Sequence, residues 1–187
     1  MAIKTYTSGD VLTASDINTY SANSGYVALS KTTITATATA QFVNAFNSTY
    51  RNYRAILELT GSGVSALYVR LLVGTTVQTG NILSLSQTAQ LSLATNVVGT
   101  RGDQYALSGA IFGTYSSFYQ IDFNAPFATA YTNWTWNGVA GRSNTDSDQI
   151  SGANRNIVTT SMNGFEITTA GAANVTGTMT LYGVRDV

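Results

Sequence analysis

The chain has 187 residues, 44% of them hydrophobic and 10% charged, and its nine basic and nine acidic side chains cancel at neutral pH. That length suits one domain, the apolar content excludes a disordered chain, and so small a charge excludes a nucleic-acid binder, which needs clustered Lys and Arg. A nearly neutral surface with charge well below the usual ~25% favours association with other subunits over life as a free monomer.

There is no cysteine and no histidine. Disulfide frameworks, Ser-His-Asp and Cys-His catalysis and zinc sites are therefore excluded, because each needs a thiolate or an imidazole. The first ten residues hold no apolar leader, and no run approaches the ~18 apolar residues of a membrane span. A protein made in the cytoplasm, without a membrane and without a cofactor, is the expectation.

Taken in chain order, the first signal is helical. Thr13 and Asp16 have the spacing of a capping box, and Leu12 and Ile17 that of a hydrophobic staple, which predicts a short helix over 14–23 with Gly25 as its stop. Its thin apolar face, chiefly Ile17 and Tyr20, cannot hold an isolated helix together in water, so it must dock. Residues 1–25 are read as an arm and helix whose contact residues are Tyr6, Val11, Leu12, Ile17 and Tyr20.

From Tyr26 the pattern changes to runs of β-branched and aromatic residues between Gly, Asn and Ser turns. Strands are predicted over 26–37, 52–60, 65–73, 82–91, 105–112, 118–124, 128–136, 165–169 and 175–184. In 65–73, Leu67, Val69, Leu71 and Val73 share one face; in 175–184, Met179, Leu181 and Gly183 oppose Tyr182 and Val184. This is an all-β chain, an antiparallel β-sandwich or jelly roll over 26–187. The Gly-, Ser- and Asn-rich stretch 138–156 reads as a long surface loop.

Little of this carries chemistry. Of the nine acids, Asp10, Asp16, Glu58, Asp103, Asp122, Asp146, Asp148, Glu166 and Asp186, Glu58 and Asp122 fall in predicted strands and would be the acid and base pair of a glycosidase if they faced each other. Outward solvated positions are the stronger reading, so no catalytic residue is assigned. Asp146 and Asp148 resemble the start of a calcium loop but lack its glycine and distal Glu, and a polar loop tip is preferred to a metal site. Arg101-Gly102-Asp103 reads as a hairpin tip. Trp134 and Trp136 lie on one strand face, with Asn133, Thr135 and Asn137 on the other. With Tyr131 they form either a platform for a cell-surface sugar or, the preferred reading, part of a core or subunit interface.

The opening stretch from Tyr6 to Tyr20, with Gly9-Asp10-Val11-Leu12-Thr13-Ala14-Ser15-Asp16-Ile17-Asn18, resembles a segment near the N-termini of tailed-bacteriophage virion proteins. Phe46-Asn47-Ser48-Thr49-Tyr50-Arg51-Asn52-Tyr53-Arg54 is similar to that family's "F-T-S-T-Y-x-N-Y-R", and Val175-Thr176-Gly177-Thr178-Met179-Thr180-Leu181-Tyr182-Gly183 to its closing "I-T-G-T-x-x-V-Y-G". Where the family has Tyr-Leu-Ala-Asn-Ser-Gly, this chain has Ser21 after Tyr20. The resemblance implies a non-enzymatic virion structural protein, a homotrimer whose partners are the major capsid protein or a tail component. A capsid decoration (cement) protein is the leading expectation, favoured by the absence of a repeat that would build a shaft. A tail-fibre or adhesin module binding host polysaccharide is the alternative.

Overall fold

Side chains that alternate inward and outward every second residue suit paired strands, and strands are what form. The structure, a computed structural model, describes residues 25–79, 82–90, 95–98, 109–171 and 173–184, and shows no helix among them. Thirteen strands follow one another: β1 (Tyr26–Thr37), β2 (Thr39–Phe42), β3 (Asn52–Gly61), β4 (Val64–Val73), β5 (Thr76–Val77), β6 (Ile82–Gln90), β7 (Thr95–Val98), β8 (Gly109–Phe112), β9 (Ser117–Asn124), β10 (Thr132–Gly141), β11 (Ser147–Asn156), β12 (Gly164–Thr169) and β13 (Val175–Val184).

They form two antiparallel sheets. The larger has the order β1-β13-β3-β9-β10-β11-β6-β7; the smaller runs β2-β12-β4-β5, with β8 also paired to β4. Inward residues of both sheets share one core: Tyr53, Ala55 and Leu57 from β3, Ile121 and Phe123 from β9, Leu67, Val69 and Leu71 from β4, Phe165 and Ile167 from β12. At ~1.5–3 kcal/mol for each large apolar side chain removed from water, this face-to-face contact is the main force holding the sheets together. Its aromatic centre is Phe165, whose ring centroid lies 5.0 Å from that of Phe123 and 5.7 Å from that of Phe46.

Among the described residues β1 is a long, mostly exposed edge strand, and such an edge is a template for unwanted pairing. Two register shifts against β13, one of them at Ala36 with φ of 36°, bend it, and Lys31 adds a charge; both features discourage another strand from adding on.

The expected faces of 65–73 and 175–184 are seen: Leu67, Val69 and Leu71 are buried, as are Met179 and Leu181, while Tyr182 and Val184 are half-buried on the other side. Three expectations are corrected. Residues 138–156 are not a loop: β10 continues to Gly141 and β11 occupies Ser147–Asn156, paired through ten residues, Thr132↔Asn156 to Gly141↔Ser147. The strand expected at 128–136 begins only at Thr132, because Pro126 sits in a turn closed by the Ala128 N–H donating to the Ala125 carbonyl at 3.1 Å. The short strands β2, β5 and β7 were not anticipated. Of the strand expected at 105–112 only Gly109–Phe112 is described. The predicted helix and the arm residues Tyr6, Val11, Leu12, Ile17 and Tyr20 lie outside the described residues, as does Arg101-Gly102-Asp103.

Candidate functional site

The aromatic trio proposed for glycan or interface contact is divided by the fold. Trp134 and Trp136 point inward from β10 and are only 1% and 2% exposed, whereas Tyr131, just before the strand, is 45% exposed. The two indoles are core, and no sugar can stack on them from outside. Tyr131 instead carries the Arg155 guanidinium 4.7 Å above its ring, a cation–π contact.

Two of the stretches that carried the resemblance, 46–54 and 175–183, meet at one corner and do structural work there. The Tyr53 hydroxyl donates to the Asn47 carbonyl at 2.7 Å and accepts the Asn47 N–H at 2.8 Å, closing the turn that leads into β3. Tyr50 lies edge-on to Tyr53 with centroids 6.0 Å apart, and its ring covers Gly183, where an added Cβ would meet it at 2.5 Å. The middle and closing motifs are thus two sides of one packed corner. Their side chains hold the turn into β3 against β13.

Among the described residues the acids Glu58, Asp122, Asp146, Asp148 and Glu166 do not converge on one site. Glu58 is in register with Phe118, and Asp122 with Arg54, so the two carboxylates sit apart on neighbouring strands. Asp122 accepts two hydrogen bonds from Arg54, Nε at 2.6 Å and Nη2 at 3.0 Å, and one from Gln120 at 2.9 Å. This bond raises the affinity of the guanidinium for its proton. Glu166 is buried at the centre of the smaller sheet, ion-paired with Arg70 and accepting from Gln41 at 2.9 Å. Among the described residues no group of three or more acids, His or Cys is placed to hold a metal ion.

Asp146 and Asp148 also part company. Asp146 closes the β10–β11 hairpin: its carbonyl accepts the N–H groups of Arg142 at 3.0 Å and Ser143 at 3.1 Å. Asp148 is not at a loop tip but faces inward on β11, 5% exposed, with Arg142 3.7 Å away. Burial raises its pKa, the Arg142 charge opposes the rise and Asp146 adds to it. The nearby Tyr119 phenol is also pushed up by burial, so it stays neutral. A carboxyl whose folded pKa lies above its unfolded one binds its proton more tightly when folded, so stability falls as pH rises through that interval. Asp148→Asn should therefore raise Tm at pH 7, and the gain should vanish below about pH 3.5, where the acid is protonated in both states. Thermal melts across pH 3–8 test this.

What remains is a surface. The outer face of the large sheet presents Arg54, Ile56 and Glu58 from β3, Gln120 and Asp122 from β9, Asn133, Thr135 and Asn137 from β10, and Ala153 and Arg155 from β11. Phe118, Val139, Leu83, Leu85 and Tyr26 stand exposed among them. Tyr26 packs under the Arg54 guanidinium, 4.6 Å from the ring centroid, beside an open trough of about 340 Å³ lined by Asn52, Asp122, Asn124 and Asn133. Sequence reasoning put Glu58 and Asp122 in outward strand positions and Asn133, Thr135 and Asn137 on one strand face, but did not join them into one surface, since they come together only through strand register. The one local signal was the polar alternation of Asn133, Thr135 and Asn137 opposite the tryptophans.

Comparison with known proteins gives no match: no family model, no curated protein and no solved structure corresponds to the chain.

Proposed function

We propose that this chain is a non-enzymatic structural protein of a bacteriophage particle, one that decorates the capsid and stabilises it through contacts with neighbouring subunits. In this reading the two sheets are a β-sandwich of jelly-roll kind, and residues 1–25 are the arm that grips the shell or an adjacent copy. The observation that carries it is the outer face of the large sheet, broad, weakly charged and lined with amides, hydroxyls and exposed apolar side chains. Such a face suits protein contact, where aromatic and aliphatic groups supply area and the polar groups fix register. The three motif stretches supply the virion context.

The adhesin reading drew on Trp134 and Trp136 as a sugar platform, and their burial withdraws that support. Many weak contacts repeated over a symmetric shell give avidity without a strong single site. Deleting 1–25 should accordingly reduce cosedimentation with virions or empty capsids by roughly tenfold or more. Undiminished binding would remove the arm from the mechanism. Absence of the chain from purified particles by mass spectrometry would remove the function itself.

A further inference from the structure

The exposed face of the large sheet carries two clusters of similar apolar character and opposite charge. In the first, Glu58 on β3 is in register with Phe118, which is in register with Val139; Phe118 and Val139 are 45% and 46% exposed. Glu58 itself is exposed and has no cationic partner among the described residues. In the second, exposed Arg155 on β11 is in register with Leu83, and Leu85 lies one pleat along β6; these leucines are 40% and 60% exposed. Strand order and register put Arg155 three strands across and six residues along from Glu58. At ~4.8 Å per strand and ~3.4 Å per residue the clusters are roughly 25 Å apart on the diagonal.

Because both clusters lie on one sheet face, they cannot meet within a chain. They meet in pairs when a second copy is laid face to face about a two-fold axis in the plane of the sheet, across the middle of that diagonal. Each Glu58 then stands opposite an Arg155 of the other copy, and Phe118 and Val139 opposite Leu83 and Leu85. By these spacings the axis passes closest to Asn137 and to the Arg54–Asp122 pair, with Gln120 and Thr135 on either side of it. Groups on a two-fold axis meet their own copies, and amides and hydroxyls both donate and accept, so they are compatible with themselves. The Arg54–Asp122 pair nearby is neutralised within its own chain, and Lys31 lies out on the edge strand β1. The six strands from β13 to β6 offer roughly 700 Å² per copy by these spacings, close to the ~800 Å² per partner of a standard interface.

We propose that this face is a two-fold self-association interface, closed by the two apolar contacts and by two Glu58–Arg155 ion pairs. It rests on the assembly reading in that both require contact between subunits, and it replaces the expected trimer by a pair. Sedimentation velocity of the full chain should show a species of twice 19.8 kDa. Glu58→Arg and Arg155→Glu should each weaken it by roughly tenfold or more in Kd, since each removes two facing charge pairs and creates like-charge contacts. The double reversal, E58R with R155E, should restore it. Asn137→Lys, which sets two cations near the axis, should dissociate the pair while leaving the far-UV circular dichroism spectrum of the folded chain unchanged. A monomer at every concentration, a trimer indifferent to the reversals, or a double reversal that fails to recover despite a wild-type circular dichroism spectrum would each overturn the interface. Cosedimentation with particles, read in parallel, tests the capsid reading separately: a pair that answers to the reversals but never binds particles keeps the interface and overturns that function.

Discussion

Gly177→Ala is expected to destabilise the protein by about 3–5 kcal/mol, combining the ~1–3 kcal/mol of a forbidden backbone conformation with the ~1–3 kcal/mol of overpacking. Gly177 has φ of 155°, where L side chains pay a steric penalty, and a Cβ built on it overlaps the Glu58 carbonyl oxygen. That oxygen belongs to the backbone of β3, so no flexible side chain can swing away. The position is central: β13 lies between β1 and β3, with Gly177 facing Ile34 on one side and Leu59 on the other. The expected Tm loss is roughly 10 °C for a chain of this size. Gly171→Ala is the control, because a Cβ there meets nothing within 4 Å; its Tm should stay close to wild type. A Gly177→Ala variant melting with the control would mean that the β13–β3 pairing is looser than its register implies.

The residues most legible in the sequence were those whose burial repeats every second position with apolar side chains, as in 65–73 and 175–184. The stretch 138–156 was read as a loop for two physical reasons. Its inward positions on β11 include Asp148, Asn154 and Asn156, all buried, so apolar alternation is missing although structural alternation is present. Its glycines were taken as turn markers, yet Gly138 and Gly152 lie inside strands beneath aromatic rings. A Cβ on Gly152 would meet the Trp136 ring at 2.5 Å, and one on Gly138 would crowd Tyr119. A glycine that seats a ring from the next strand looks locally like a glycine that makes a turn. Only the pairing of β9, β10 and β11 tells them apart.

The candidate surface was less legible than the fold, and the cause is again register. That Trp134 and Trp136 share a face follows from their spacing, but which side of the sheet faces the core depends on Ile121 and Phe123 of β9 and on Phe165 across the core. Glu58 and Arg155 are far apart in the chain, and they come to one face only because β9 and β10 intervene in the right order. The motif stretches, in contrast, were legible as text but not as mechanics: Tyr50, Tyr53 and Gly183 pack one corner, a role that holds whatever the surface binds.

Trp136→Ala should cost about 3–5 kcal/mol, the usual loss for a large aromatic cut to Ala in a core. Trp136 is 2% exposed, and its ring rests on Gly152, so the void has a flat backbone floor with no side chain to fall into it. Cavities that cannot collapse are the costly ones. Trp136→Phe separates packing from polarity. Among the described residues nothing accepts a hydrogen bond from the buried indole Nε1, nor from that of Trp134, and an unsatisfied buried donor costs roughly 1–3 kcal/mol. Phe removes that donor while keeping most of the ring, so its loss should be well under half that of Ala in urea unfolding at equal m-value. If Phe proves as damaging as Ala, the Nε1–H is bonded to a buried water, and the inner face of β10 is held by polarity as well as by area.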